Sequence, residues 1–256
     1  MKAIILAAGK GARLKPFTDA LPKPMLPIGA KPILEIHISY LKKYGFDEVT
    51  LTTNYLGGNI IHYFGDGKSL GIKVSYSEES VPLGTAGGVK KAAQGLDSTF
   101  VAMVADGLAD IDYHALIEFH RKTAALATMV VFEKTLKMPY GLVSLDIDRD
   151  NAILGLEEKP GVPLTVNTGI TVLEPKSLNY MEEGEFLRMP DLFLRLKEAG
   201  EKVVAYQHPG NWVDVGQNIE RYLETNQQIM NGEISFSSAL SEIIFEGSKR
   251  EVNDEK

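Results

Sequence analysis

Residues 3–8 read AIILAA, a continuous apolar run of the kind shown by a strand buried on both faces. Beyond a polar loop rich in glycine and proline, Ile33 to Tyr44 (ILEIHISYLKKY) sets Leu34, Ile38 and Leu41 on one side at helical spacing. Gly45 marks its end. The pattern continues as a strand over Val49–Thr53, a short helix over Gly58–Phe64 and a strand over Ile72–Ser77. A helix over Thr85–Gln94, an apolar strand over Phe100–Val104 and a helix over Leu116–Thr123 follow. Strands alternating with helices predict an α/β fold, Rossmann-like, with a mostly parallel sheet and right-handed crossovers. Ligands on such sheets gather where the strands end. The polar loop after Ala8 and Asp106 after Val104 both stand at such ends.

From about Thr128 the rhythm changes. MVVFEK, YGLVSLDI, AILGLEEK and TVNTGITVLE follow one another without a long helix, which predicts a strand-rich lobe packed on the first part. Helical spacing returns at Asp191–Lys197 and Ile219–Met230, with a strand at Val203–Gln207 between them. Ile234–Phe245 is apolar enough to pack on the body or on a second copy of the chain, and Ser248–Lys256 is charged and expected to fray. No hexapeptide repeat is present, so no β-helix is expected.

Composition narrows the function classes. Over 256 residues the net charge is -7, which opposes general nucleic-acid or anionic-membrane binding, because a polyanion must be met by a basic face. Cysteine is absent, which removes disulfides, thiolate nucleophiles and Cys-ligated zinc. Residues 3–8 are too short for a signal-peptide core, and no run reaches the roughly 20 apolar residues of a membrane helix. A cytoplasmic protein is expected. The histidines, His37, His62, His114, His120 and His208, show no paired ligand spacing, and His37 reads as a packing residue.

Against this acidic background, residues 6–25 (LAAGKGARLKPFTDALPKPM) concentrate three lysines and an arginine. The Walker loop is not present: before Gly67-Lys68-Ser69, His62 stands where the first glycine belongs. The dinucleotide fingerprint is also broken, with Leu14 in place of the third glycine after Gly9 and Gly11. The phosphate logic survives both exclusions. Gly9 and Gly11 permit a tight path with exposed N–H groups, Arg13 offers a bidentate fork, and Pro22 and Pro24 restrict the backbone around Lys23. Taken alone, the same lysines could simply be solvated.

The pattern LAAG-x-G-x-R-L-x-P-x-T followed by P-K-P-M resembles the signature of the sugar-phosphate nucleotidylyltransferases. Further matches recur in that family's order: PLGTAGG at 82–88, Ala105-Asp106, Tyr140-Gly141, EEKP at 157–160, VNTGI at 166–170 and WVDVG at 212–216. The resemblance implies transfer of a nucleotidyl group from a nucleoside triphosphate to a sugar 1-phosphate, with release of pyrophosphate. It implies that Arg13 and Lys23 clamp the reacting phosphates, that Asp106 and Asp214 hold Mg2+, and that Leu6, Ala8, Gly9, Gly11, Gly84, Thr85 and Ala86 contact the nucleotide. Gly141, Glu158, Lys159 and Asn167 match contacts to the sugar phosphate. It further implies one nucleotidyltransferase domain over 1–230, with a nucleotide-binding part to about 125 and a sugar-binding part over about 126–216. Residues 231–256 form an extension beyond that domain.

LGTAGG with EEKP looks most like the mannose-1-phosphate guanylyltransferase group, with glucose-1-phosphate uridylyl- and thymidylyltransferases as alternatives. One departure bears on the acceptor. The family usually places Asn-Gly before the metal-binding aspartate, and this chain has Val104-Ala105. That difference motivates a rival, a nucleotidylyltransferase for a non-sugar phosphate. A non-catalytic nucleotide-sugar-binding subunit is the rival from another class; it predicts an eroded clamp.

Overall fold

A computed structural model describes residues 1–246. Its centre is a seven-stranded sheet in the order β12-β8-β11-β6-β1-β4-β5. Here β1 is Lys2–Leu6, β4 Glu48–Thr53, β5 Lys73–Glu78, β6 Phe100–Val104, β8 Ala127–Lys137, β11 Gly161–Leu173 and β12 Val203–Gln207. Strands β5, β4, β1 and β6 run parallel, with Lys2 level with both Glu48 and Phe100. Only β11 runs against its neighbours β6 and β8, while β12 is again parallel to β8. The mostly parallel α/β sheet expected from the alternation is thus present, with one reversed strand.

Helices cover both faces, so β1 and β6 are buried on both sides, as their unbroken apolar runs require. One core gathers Ile5, Leu34, Ile38, Leu41, Val49 and Leu51 with α2 (Ile33–Lys43) and α8 (Ser238–Phe245) on its side of the sheet. The other gathers Ile4, Ala86, Val89, Phe100, Leu192 and Leu196 around α4 (Gly84–Ala92) and α6 (Met189–Glu198). Smaller helices complete the layers: α1 at Phe17–Ala20, α3 at Gly57–Phe64, α5 at Tyr113–Thr123 and α7 at Ile219–Met230. Short strand pairs are formed by β2 (Pro27–Ile28) with β3 (Lys31–Pro32), and by β7 (Gly107–Ala109) with β13 (Trp212–Asp214). No helix among the described residues is long and apolar enough to cross a membrane.

Sequence-level stops and starts hold where local chemistry decides them. Gly45, past the end of α2, is left-handed at φ 77°. Asp112 caps α5, its carboxylate accepting from the Ala115 N–H at 3.0 Å, and Asn218 caps α7 by accepting from Arg221 N–H at 2.8 Å. Such caps contribute about 1 kcal/mol each. Asp110, two residues before that cap, does different work. Its buried carboxylate accepts from Asn211 N–H at 2.7 Å, Ser237 N–H at 2.7 Å and the His208 imidazole at 3.0 Å. Burial pushes this carboxyl upward, but His208 and the two N–H groups outweigh it and hold it below the usual aspartate range. Asp110 therefore ties residues 235–237, and through them α8, to the strand pair beside the site.

The strand-rich stretch enters the same sheet rather than building its own. Only residues 127–131 of β8 and 170–173 of β11 lie between other strands; their outer halves pair with each other alone. That two-stranded ribbon continues into β9 (Leu142–Asp146) and β10 (Ala152–Glu157), a separate antiparallel pair joined by the turn 147–151. The fraying expected of residues 248–256 falls outside the described residues.

Candidate active site at the strand ends

A cleft of about 520 Å³ opens at the carboxyl ends of β1 and β6. One wall is the loop after β1. Ala7 N–H donates to Thr52 Oγ1 at 3.2 Å, and Leu14, fully buried, pins the loop's single 3-10 turn at Ala12–Leu14. Burying such a side chain stabilises the loop by about 2 kcal/mol. Gly11 is left-handed at φ 64°, and a Cβ there would lie 2.8 Å from Thr18 Cγ2 and 2.9 Å from Lys23 Cβ. Its carbonyl accepts from Thr18 Oγ1 at 2.9 Å. The fold itself therefore requires glycine at 11. At Gly9, which also lines the cleft, a Cβ would meet nothing within 4 Å. No packing demand explains Gly9, and it borders open space. Lys10 and Arg13 line the same wall and are exposed.

Lys23 comes from the following 3-10 turn, Lys23–Met25, whose Pro24 and Met25 are buried. That anchoring carries the lysine inward until its side chain is only 13% exposed. Its ammonium donates to Asp106 Oδ2 in a close ion pair and to the Gly216 carbonyl at 3.2 Å. Two of its three N–H donors are thus committed, leaving one for a ligand. Asp106 stands directly beyond β6, behind the buried Ala105. Pairing of β13 with β7 sets Asp214 level with Gly107, the residue after Asp106, and Val215 N–H donates to the Asp106 carbonyl at 3.0 Å. Two aspartates far apart in the chain are therefore neighbours at one end of the sheet. Asp214 also makes the turn bond available to any Asp two residues before a glycine, accepting from Gly216 N–H at 2.8 Å, and it accepts from Gln217 Nε2 at 3.2 Å. At Gly216 a Cβ would sit 2.1 Å from Lys23 Nζ and 2.7 Å from Asp106 Oδ2. The three groups meet there with no spare room.

The opposite wall is neutral. Pro82, Gly84 and Thr85 line it together with Phe186. Gly84, at φ 72°, lies against the Leu187 backbone, and the N–H groups of Ala86 and Gly87 both donate to the Leu187 carbonyl. Ala86 is fully buried, and Thr85 Oγ1 accepts from Met189 N–H at 2.7 Å. Of the residues assigned to the nucleotide, Leu6, Ala8, Gly9, Gly11, Gly84 and Thr85 line the cleft, while Ala86 supports it from behind. Sequence reasoning missed Lys10, Thr52, Asn54, Glu79 and Phe186. Lys10 was legible, lying between two glycines; the others reach the cleft only because β4, β5 and the 182–187 segment bring them there. Glu79 is buried beneath this wall, where desolvation raises its carboxyl despite the Leu83 N–H.

The four residues assigned to the sugar phosphate do not line this cleft. Gly141 and Glu158 adjoin at the root of the β9–β10 pair, where a Cβ on Gly141 would meet Glu158 Oε2 at 2.9 Å. Lys159 is left-handed at φ 46° with its side chain two-thirds exposed. Asn167 marks the point where β11 loses register with β8, and its Oδ1 accepts from Gly169 N–H at 2.8 Å. A Cβ on Gly169 would strike Val104, a cleft-lining residue, so Asn167 stands near the mouth. The Val104-Ala105 departure causes no strain. The left-handed non-glycine positions among the described residues are Leu56, Ala124, Asp150, Asn151 and Lys159, so Ala105 takes the place of glycine at ordinary φ.

Helix α2 passes behind Asp106, and its His37 is a buried packing residue, as the sequence suggested, with Nε2 unpartnered. Burial lowers the imidazole to about 4, against the opposing pull of the Asp106 carboxylate and the Ala105 carbonyl.

Comparison with known proteins agrees with the geometry. Residues 2–232 match the nucleotidyl transferase family model. The chain is 36% identical over 254 residues to a UTP–glucose-1-phosphate uridylyltransferase of Synechocystis, covering 91% of this chain and 64% of that protein. It is 32% identical over 218 residues to a mannose-1-phosphate guanylyltransferase of Mycobacterium tuberculosis, covering 84% and 60%. The chain thus spans about three-fifths of the length of these two curated relatives. Among solved structures, HddC from Yersinia pseudotuberculosis in complex with GMP-PN superposes with a TM-score of 0.67 at 26% identity, over 89% of this chain and 98% of that one. The ordered motifs, the parallel sheet with its cleft at the strand ends, and a family match over nearly the whole chain agree: this protein belongs to the nucleotidyl transferase family.

Proposed function

We propose that the chain transfers a nucleotidyl group from a nucleoside triphosphate to a sugar 1-phosphate, forming a nucleotide sugar and pyrophosphate. The observation that carries this reading is the meeting of Lys23, Asp106 and Gly216 on the cleft floor, with Asp214 alongside. The cleft is polarised. Lys10, Arg13 and Lys23 make one side cationic, suited to a triphosphate, and Pro82, Gly84, Thr85 and Phe186 make the other neutral, suited to a flat base. The open position at Gly9 lets backbone N–H groups approach phosphate oxygens.

An attacking sugar phosphate is already anionic and needs no general base. The barrier lies in bringing two anions into line and neutralising the charge that grows on the leaving pyrophosphate. In this reading Arg13 orients the triphosphate, and the remaining Lys23 N–H meets the transferred phosphoryl oxygen. Gly216 and Asp106 hold Lys23 in place, so the ammonium is preorganised. The donor set fits magnesium, a hard cation that takes carboxylate oxygens together with phosphate oxygens and water. Two carboxylates leave positions for phosphate oxygen and water. Asp106 and Asp214 would hold the ion, which supplies charge neutralisation at the phosphates.

Mannose 1-phosphate with GTP is the pairing favoured by the LGTAGG and EEKP segments, with glucose 1-phosphate and UTP or dTTP as the alternative; relatives with both activities support the general reaction. The test is a pyrophosphate-release matrix of the common nucleoside triphosphates against sugar 1-phosphates and phosphocholine, with magnesium. Turnover with a sugar 1-phosphate is the expected result. Turnover with phosphocholine alone favours the acceptor suggested by Val104-Ala105, and nucleotide binding without any turnover overturns the enzyme reading.

A further inference from the structure

One aromatic side chain in the cleft wall stands in the open on a backbone that is fixed on both sides of it. Phe186 is 64% exposed, joins neither hydrophobic core and pairs with no other ring among the described residues. A single exposed apolar residue on a plain surface needs no explanation. This one lines the cleft, beside Pro82, Gly84 and Thr85. Its neighbours are pinned. The Glu185 carboxylate accepts from Arg195 of α6 at two points, Nη1 at 3.0 Å and Nη2 at 2.7 Å, and from Glu182 N–H at 3.0 Å. On the other side, Leu187 N–H donates to the Leu83 carbonyl at 2.9 Å, and the Leu187 carbonyl accepts from Ala86 at 2.9 Å and Gly87 at 3.2 Å. A Cβ on Gly84 would lie 2.5 Å from the Leu187 carbonyl oxygen, and one on Gly87 2.4 Å from that of Glu185. Two glycines of the PLGTAGG motif are therefore required to seat residues 185–187. The side chain that this seating leaves at the cleft is Phe186.

We propose that Phe186 is the stacking platform for the base of the nucleoside triphosphate. The proposal rests on the nucleotidyl-transfer reading in one respect, that the base lies on this wall while Lys10, Arg13 and Lys23 take the phosphates. A phenyl face left in water gains by receiving a second flat ring, and every base offers one. Because Glu185 and Leu187 are already tied down, little backbone freedom remains to be lost when the base arrives. Pyrophosphate carries no base, so the platform retains nucleotide and nucleotide sugar and gives no hold on the leaving group.

The test is titration calorimetry on the full chain with magnesium and no acceptor, using GTP, UTP and inorganic tripolyphosphate as separate probes. The unaltered protein should bind at least one of the two nucleotides more tightly than tripolyphosphate. Phe186→Ala should weaken that nucleotide about 10-fold and leave tripolyphosphate unchanged. Phe186→Tyr, which keeps the ring, should bind the nucleotide as the parent does. The melting temperature should stay near that of the parent in both variants, since the side chain is exposed. Nucleotide affinity unchanged in Phe186→Ala, an equal loss for nucleotide and tripolyphosphate, or a parent that binds neither nucleotide more tightly than tripolyphosphate would each overturn the proposal. None of these readouts uses turnover. A parent that holds nucleotide through Phe186 yet transfers nothing would sink the transfer reading alone, and a parent that turns over while Phe186→Ala binds normally would sink this inference alone.

Discussion

The two sides of the site are built in opposite ways. On the proposed nucleotide side, the groups of the cleft floor hang from elements locked into a core: Lys23 behind buried Pro24 and Met25, Asp106 behind buried Ala105, and Gly11 wedged between Thr18 and Lys23. On the ribbon side, Glu158 and Lys159 lie at the root of a strand pair with both faces in solvent. Packing holds the first set in place. The second is held by its ladder of hydrogen bonds. Rigid preorganisation is what charge neutralisation of a triphosphate demands, since a clamp that must reorganise loses its electrostatic advantage. Under the proposed function the ribbon side would admit and release a sugar, and such a site tolerates a looser mount.

Mutations should expose this contrast, beginning with the floor of the cleft. Lys23→Ala is expected to lower kcat by about 10³-fold or more while the melting temperature stays near that of the parent. Steady-state kinetics beside calorimetry would show it, and near-normal kcat would remove Lys23 from the mechanism. A pH effect comes next. Because His37 is lowered to about 4 in the fold and sits near 6.5 when unfolded, the unfolded chain binds the extra proton between those values. Stability should be complete above pH 6.5 and fall on acidification toward pH 4, by up to about 3 kcal/mol. Denaturant midpoints at pH 7.5 and 5 should differ in the parent and differ less in His37→Leu; equal slopes would refute the assignment.

Gly216→Ala probes the same floor more gently. The added methyl group conflicts chiefly with the end of the flexible Lys23 side chain, so the fold should survive while the ammonium is displaced. About 10²-fold loss of kcat is expected, and an unchanged kcat would mean that the close approach is not required. On the ribbon side, Lys159→Ala should raise KM for the sugar phosphate about 10-fold and leave KM for the nucleotide alone. A parallel rise in both would erase the division between the two regions.

Much of the nucleotide side was legible in the sequence because its signals are local. Unbroken apolar runs marked β1 and β6, and glycine and proline punctuated the loop between β1 and α2. Asp106 was placed at a strand end by five apolar residues alone. Other features could not be read this way. Nothing in the residues around Asp110 signals its contacts with His208, Asn211 and Ser237. Phe186 and Glu79 join the cleft through segments whose local sequence has no phosphate or base signal. The apolar alternation of residues 142–157 correctly marked strands but could not tell that their aliphatic face would be left uncovered.

By itself, then, the sequence determined the order of strands and helices, the loop that offers phosphate contacts, and the family to which its motifs belong. The first two follow from periodicity, from backbone freedom at glycine and from charge, all of which act over a few residues; the family follows from the resemblance of its ordered motifs. Only the tertiary structure decided that Asp214 stands beside Asp106, that Lys23 spends two donors on holding the floor together, and that the ribbon stands apart from the core. Each depends on which distant strands pair, and pairing is settled by the burial of whole faces, which no short stretch of chain records.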